Sequence, residues 1–304
     1  MSTSGEGSAK VIVIALMANV GIAIAKFIGA YFSRSASLLA EAIHSLVDCS
    51  NQILLLIGSK SSNKAPTETH PLGYSREAFF WSFIVAVLLF SLGGLFAIYE
   101  GVHKLNDPGE MGSPFIGLGI LIFALILEGL SFWSCYKEVQ SQNSYGSIWN
   151  WFRRTSSADL LVIFTEDAAA LIGLIVATIS IVLAWITGDS RWDAGGSIVV
   201  GIVLVFVAVF LAIEIKSLII GEAPAIDLKS DFLELTKNRF PTGKLLKFIS
   251  IQIGSNEIMV AAKVHPGDLQ SLSEGILKIN EIENLMKLKY KAIKWQFIEL
   301  DYFD

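Results

Sequence analysis

Six stretches of this 304-residue chain are apolar for about 20 residues or more, the length a helix needs to cross the hydrocarbon core of a bilayer. They lie near 10–32, 36–58, 79–102, 113–136, 160–186 and 194–219. At that depth water cannot satisfy backbone N–H and C=O groups, so each run is expected to fold as a helix that bonds internally. Only 17% of residues are charged and mean hydropathy is +0.58, whereas soluble chains carry about 25% charge. The N-terminal MSTSGEGSAK is short, polar and without a small-residue cleavage pattern, so the first run is expected to be retained.

Basic residues between the runs are unequally shared. Lys10, Lys60, Lys64, Arg76, Lys137, Arg153, Arg154 and Lys216 flank one side, and Arg34, Lys104 and Arg191 the other. The positive-inside rule then puts both termini in the cytoplasm, for a multi-pass protein of the cell inner or plasma membrane. The net charge of −5 is spread without long blocks, which argues against nucleic acid as a partner. Cys49 and Cys135 share no CxxC spacing and imply neither a disulfide framework nor a thiolate metal cluster. An enzyme is not indicated: no Ser, Cys or His shows nucleophile–base spacing, and no phosphate-binding glycine loop is present.

Composition changes at GEAPAIDLKS (221–230), which divides the chain into a helical membrane part, 1–220, and a soluble part, 221–304. In the latter, DLKSDFLELTKNRF reads as an amphipathic helix. LLKFISIQIG and NEIMVAAKVHP read as strands joined by Gly254, Ser255 and Asn256. LQSLSEGILKINEIENLMKLKY has a helical apolar period, and KAIKWQFIELDYF reads as a last strand. The order αββαβ, with antiparallel pairing, describes a small two-layer α+β, ferredoxin-like domain.

The second apolar run carries Glu41, His44, Asp48 and Asn51 at i, i+3, i+7 and i+10, one stripe of a helix. A polar seam between helices accounts for a single Asn or Glu. Three ionisable groups on one stripe cost roughly 8–10 kcal/mol without a partner or cavity, and such residues mark ion or proton paths. His44 and Asp48, four apart, point at one spot and make a fair start on a divalent metal site. The fifth run holds Glu166 and Asp167, whose directions differ by about 100° on a helix. One division makes Asp167 a ligand and Glu166 a base behind it or an alternative ligand. Asp159, nearer the basic end, suits a place on the access path. Glu128 in the fourth run reads equally as a proton site, a partner for Lys26, or a residue facing a water-filled crevice. Gly93 and Gly94, with Gly195, Gly196 and Gly201, suit close helix packing.

The stretch AKFIGAYFSRSASLLAEAIHSLVDCSNQ, followed by THPLGYSREAFFWSF, closely resembles the cation diffusion facilitator family. The likeness extends to a HxxxD on the second run, a carboxylate on the fifth, WDAGGSIVVGIVL opening the sixth, and the αββαβ tail. THPLGYSREAFFW and the ED pair look most like the branch around zinc transporter nine. The resemblance implies a homodimeric antiporter that exports divalent cations, often zinc, in exchange for protons, with no cofactor beyond the ions moved. It implies two transport ligands from the second run, matched by His44 and Asp48, and Asp167 on the fifth. The fourth ligand of the family pattern falls on Ile163, which has no donor. Glu166, a water, Glu41 or Asn51 is left to supply it. A site so rich in carboxylates makes manganese, cobalt or iron(II) credible beside zinc. In the loop after the second run His70 matches a family ligand, but Tyr74 and Thr67 stand where a histidine and an aspartate are common. Glu68 is the one compensating donor there, and a weak or absent loop site is expected. The tail holds only His265, so it is expected to dimerise rather than to bind a multi-histidine cluster. The rival readings are an organic-cation transporter, and a non-transporting membrane sensor or scaffold.

Overall fold

The computed structural model describes residues 3–108, 112–142, 146–155, 157–255, 257–269 and 271–303, leaving aside the side chains of 3–15, 18, 142 and 154. The side chains of Lys10 and Arg154, and Asn256 in the expected strand turn, are therefore outside the described residues.

Each of the six apolar runs is helical. The first two are α1 (Thr3–Ser33) and α2 (Ala36–Ser62). The third is α3 (Glu77–Leu88) and α4 (Phe96–Asn106), joined without a break by the π-helical segment Leu89–Leu95. The fourth is α5 (Pro114–Gln142). A short α6 (Ile148–Arg154) then precedes the fifth and sixth, α7 (Ala158–Thr187) and α8 (Arg191–Ile220). The helices overrun their apolar cores because a helix continues until a cap stops it. Gly188 and Gly221, both at positive φ, end α7 and α8 in the left-handed conformation that glycine adopts without strain.

Four helical stretches, Glu77–Asn106, Pro114–Ser141, Ala158–Thr187 and Arg191–Ile220, are long and apolar enough to cross a membrane, and the chain is a multi-pass membrane protein. Their outward faces are apolar, with Phe206 and Ile213 on α8 and Ile172 and Ile179 on α7 exposed. Helix α2 is the least apolar of the long helices and takes the centre, packed against α1, α3, α4, α7 and α8. The expected glycine contacts are partly found. A Cβ on Gly94 would lie 2.6 Å from Val205 Cγ2, and one on Gly201 would lie 2.7 Å from the Gly94 carbonyl, so these two set the approach of the third run to α8. Gly195 instead faces open space, and at Gly93 a Cβ would meet only ordinary contacts.

Helix α6 was not expected; seven residues are too short to show a period. The Ser147 hydroxyl caps it, and Trp151 is buried among Phe152 and Phe164.

At the end of the bundle away from the C-terminal part, Asp193 at the start of α8 holds the first turn of α2. Its carboxylate accepts from the Ala36 N–H (2.6 Å), the Ser37 N–H (3.3 Å) and the hydroxyls of Ser35 (2.6 Å) and Ser37. Lys104 of α4 completes the cluster at 3.0 Å from Asp193 and also donates to the Arg34 carbonyl. The anion thus satisfies the unpaired N–H groups of a helix N-terminus, where it is favoured by the macrodipole.

The C-terminal part runs α9 (Leu228–Arg239), β1 (Lys244–Gly254), β2 (Glu257–His265), α10 (Leu272–Lys289) and β3 (Ile293–Leu300), the expected αββαβ order. Its sheet is β1–β2–β3. The β1–β2 pair is antiparallel as expected, but β2 and β3 are parallel. The antiparallel expectation fails there because α10 is a crossover that returns the chain to the end where β2 began. Phe232, Val260, Val264, Ile282 and Met286 form a core separate from that of the bundle. Between the helices, Asp231 accepts from Lys289 and Tyr290, and the Lys289 ammonium foremost holds its carboxyl below the ordinary value.

Replacing Asp193 by alanine uncaps α2 and leaves Lys104 without its carboxylate. Breaking such a buried pair costs about 3–5 kcal/mol, so D193A is expected to melt well below the wild type in detergent, with D193N intermediate. An unchanged melting temperature would remove this cluster from the supports of the fold.

Candidate functional site

The cap at Ser35 fixes where α2 begins and hence which residues face its neighbours. Glu41, His44 and Asn51 are fully buried mid-helix, while the Asp48 side chain keeps 20% of its surface. The structure divides the stripe among different partners. Glu41 Oε2 lies 3.3 Å from Lys26 Nζ of α1, and its other oxygen lies where a side chain on Gly173 would be. Asn51 Nδ2 donates to Glu166 Oε1 at 2.5 Å. His44 makes no hydrogen bond through either ring nitrogen, and its Nδ1 is 3.6 Å from Asp48 Oδ1.

Asp48 opens onto a cavity of about 100 Å³ between four helices. Its walls are Asn19 and Ile22 of α1; Ser45, Asp48, Gln52 and Leu55 of α2; Glu128 and Ser131 of α5; and Ile163, Glu166 and Asp167 of α7. Four carboxyl groups therefore share one small space. Glu166 and Asp167, neighbours in sequence, both reach it: Glu166 is held by Asn51 from α2, and Asp167 accepts from Ser131 of α5 at 3.2 Å. Ile163, at the position where the resemblance implies a fourth ligand, lines the same wall without a donor atom.

His44 lies one turn from Asp48 but outside the cavity lining. Among the described residues no three His, Cys, Asp or Glu side chains converge closely enough to hold a metal ion. The donors line a wall instead of meeting at a point. On and behind that wall several polar atoms are buried without a hydrogen-bond partner: Oδ1 of Asp48 on it, and both nitrogens of His44, Oδ1 of Asn51 and Oε1 of Glu41 off it. Leaving such groups unpaired costs about 1–3 kcal/mol each. The three unpartnered oxygens and the lone-pair nitrogen of a neutral His44 suit a positively charged ligand.

A second cavity of about 250 Å³ lies toward the C-terminal part, lined by Ser59, Ser62 and Asn63 of α2, Ser75, Ser82, Asp159, and Gly254, Ser255 and Glu257 of the β1–β2 connection. Leu55 lines both cavities. Asp159, expected on the access path, is in this outer chamber. At its rim Ser75 donates to Glu257, and Lys294 reaches Glu257 at 2.7 Å.

Sequence reasoning did not single out Asn19, Ser45, Gln52 or Ser131 as parts of a site. None of them is ionisable, so each is a weak signal without knowing which helices adjoin. Of the expected loop residues, Glu68 and His70 are exposed. The His70 ring packs on Tyr74 with centroids 4.4 Å apart and pairs with the Thr69 hydroxyl at 3.1 Å. His265 Nδ1 accepts from the Gly267 N–H at 3.0 Å.

Residues 12–220 match the family model described as the cation efflux transmembrane domain. The chain is 32% identical over 291 residues to metal tolerance protein C4 of Arabidopsis thaliana, covering 95% of this chain and 64% of that protein. It is 31% identical over 235 residues to the mitochondrial proton-coupled zinc antiporter SLC30A9 of Homo sapiens, covering 77% and 41%. It is 26% identical over 277 residues to zinc transporter ZitB of Yersinia pestis, covering 90% and 83%. The first two relatives are thus substantially longer than the part of them this chain spans. With the polar stripe, the carboxylate cavity and the αββαβ tail, these matches establish that the chain belongs to the cation diffusion facilitator family, in the branch of zinc transporter nine.

Proposed function

We propose that this protein moves a divalent metal cation, zinc foremost, out of the cytoplasm in exchange for protons, through the cavity between α1, α2, α5 and α7. The observation that carries the reading is the buried, unpartnered donor set of His44 and Asp48 beside a cavity that also exposes Glu166 and Asp167. All six long helices cross the membrane in this reading, α2 included, its charges sheltered by the helices around it. Six crossings leave both termini on one side, and the lysine and arginine distribution makes that side the cytoplasm, in the inner or plasma membrane. Two relatives, a proton-coupled zinc antiporter and a zinc transporter, support zinc and proton coupling. The oxygen-rich wall makes manganese, cobalt and iron(II) the ions to compare with it.

The ion enters the outer chamber, where Asp159 lowers its energy, and passes Leu55 into the inner cavity. There it exchanges water for His44, Asp48 and Asp167, with Glu166 as the fourth donor in place of Ile163. Metal binding requires these groups deprotonated, so protons arriving from the far side compete for them and displace the ion. His44, whose Nδ1 already lies 3.6 Å from Asp48 Oδ1, joins it by turning its ring toward the cavity. Alternating access is then a rocking of the helices about the fixed site.

Two copies pair through the tail. The face of the sheet away from α9 and α10 carries Ile249 and Phe297, 42% and 54% exposed, beside Ala261 and Met259. An apolar face on the outer side of a three-stranded sheet suits a second copy.

In proteoliposomes under an imposed pH gradient, D48A and D167A are expected to abolish zinc flux while remaining folded; wild-type flux in either would sink the assigned site, and competition by cobalt, manganese and iron(II) ranks the ions. D159N is expected to raise the KM for metal several-fold with kcat unchanged, since a charge at the mouth acts on ion capture; a fall in kcat alone would place Asp159 elsewhere. F297K is expected to convert dimer to monomer in light scattering, and an undisturbed dimer would move the interface off the sheet.

A further inference from the structure

Lys26 is the one fully buried lysine among the described residues, and its surroundings are unusual for a structural ion pair. Its ammonium has three N–H donors and three acceptors near it: Ser45 Oγ at 2.7 Å, Glu41 Oε2 at 3.3 Å and Glu128 Oε1 at 3.7 Å. Ser45 and Glu128 line the inner cavity, whereas Lys26 and Glu41 do not. The cation therefore sits behind the wall, on the outer side of one of the four carboxyl groups. Glu41 and Ser45 are bonded to it; Glu128 is held at ion-pair distance without a hydrogen bond.

We propose that Lys26 is a positioning residue for the transport site, a tethered counter-cation that draws Glu128 away from the metal. Resting on the reading above that the cavity holds a divalent ion, the argument is one of charge. Four carboxylates around a small cavity carry more negative charge than a divalent cation neutralises, and an over-complete oxygen set binds too tightly to release its cargo. Lys26 offsets the surplus from outside without occupying the space of the ion. Its bond to Glu41 anchors it, so that the charge stays in place while Glu128, at 3.7 Å, keeps the freedom to turn. Without Lys26, Glu128, which already stands on the cavity wall, turns fully toward the ion as an additional ligand. Metal then binds more tightly and leaves more slowly, which lowers KM and kcat together, a pattern that loss of packing does not produce.

The test is a double-mutant cycle on the full-length protein, with zinc chloride as the probe, reading equilibrium zinc binding in detergent and zinc flux in proteoliposomes. Changes to groups that hold a metal ligand in place shift affinity by about 10–100-fold. K26Q is expected to tighten zinc binding at least about tenfold and to slow turnover by a similar factor, and K26R to return both toward the wild type. In an E128Q background the same K26Q change is expected to leave zinc affinity within about twofold, because the released carboxylate no longer exists. Unchanged zinc affinity in K26Q, or an equal effect of K26Q with and without Glu128, overturns the proposal. Since K26Q strands Glu41, the K26Q/E41Q variant removes both members of that pair and gives the same reading if the single variant does not fold. Zinc binding that is lost in D167A yet unmoved by K26Q overturns this inference alone; absence of zinc binding by the wild type overturns it together with the metal-site reading.

Discussion

A charge carried to the depth of a bilayer has to be met there by another charge, a hydrogen bond or a polar cavity, and the arrangement of this bundle follows from that requirement. Helix α2 brings two carboxyl groups, a histidine and an asparagine inward on one face. A helix so composed has no place at the periphery, and α1, α4, α7 and α8 enclose it. Three of the enclosing helices supply a complement: Lys26 from α1 to Glu41, Glu166 from α7 to Asn51, and Asp193 from α8 to the first turn.

The same requirement explains which parts of the site were legible. Glu41, His44, Asp48 and Asn51 stand out because ionisable residues are costly in an apolar run, and their spacing alone assigns them to one face. What spacing cannot give is the division of labour. Glu41 is turned toward a lysine fifteen residues earlier in sequence, and Asn51 toward α7, while only Asp48 of the four lines the inner cavity. Glu166 and Asp167 looked divergent on an isolated helix. They meet in one cavity because α2 and α5 each offer a hydrogen bond to one of them.

The fold itself was legible to a similar depth. Long apolar runs gave the membrane helices, and the helical and strand patterns of the tail gave its αββαβ order. The direction of β3 depended on how far α10 carries the chain, a property of packing rather than of pattern. Asp193 read as part of a family motif, but its role as the cap of α2, over 150 residues away, needs the bundle assembled. The π-helical segment Leu89–Leu95 left no mark in hydropathy, since an extra residue in a turn changes phase and not composition.

The chamber outside the inner cavity is walled in part by the β1–β2 connection, where Gly254 packs so closely on Ser75 that a Cβ there would lie 2.7 Å from the Ser75 side chain. That connection belongs to a unit with its own hydrophobic core. The bore of the mouth is consequently set by the registry of two independently packed bodies, as the aperture between two plates depends on their alignment. A tilt of the tail by a few degrees would widen or narrow that mouth without moving Asp48, Glu166 or Asp167, so the width of the opening is a mechanical property of the two parts and not of the residues deep in the bundle.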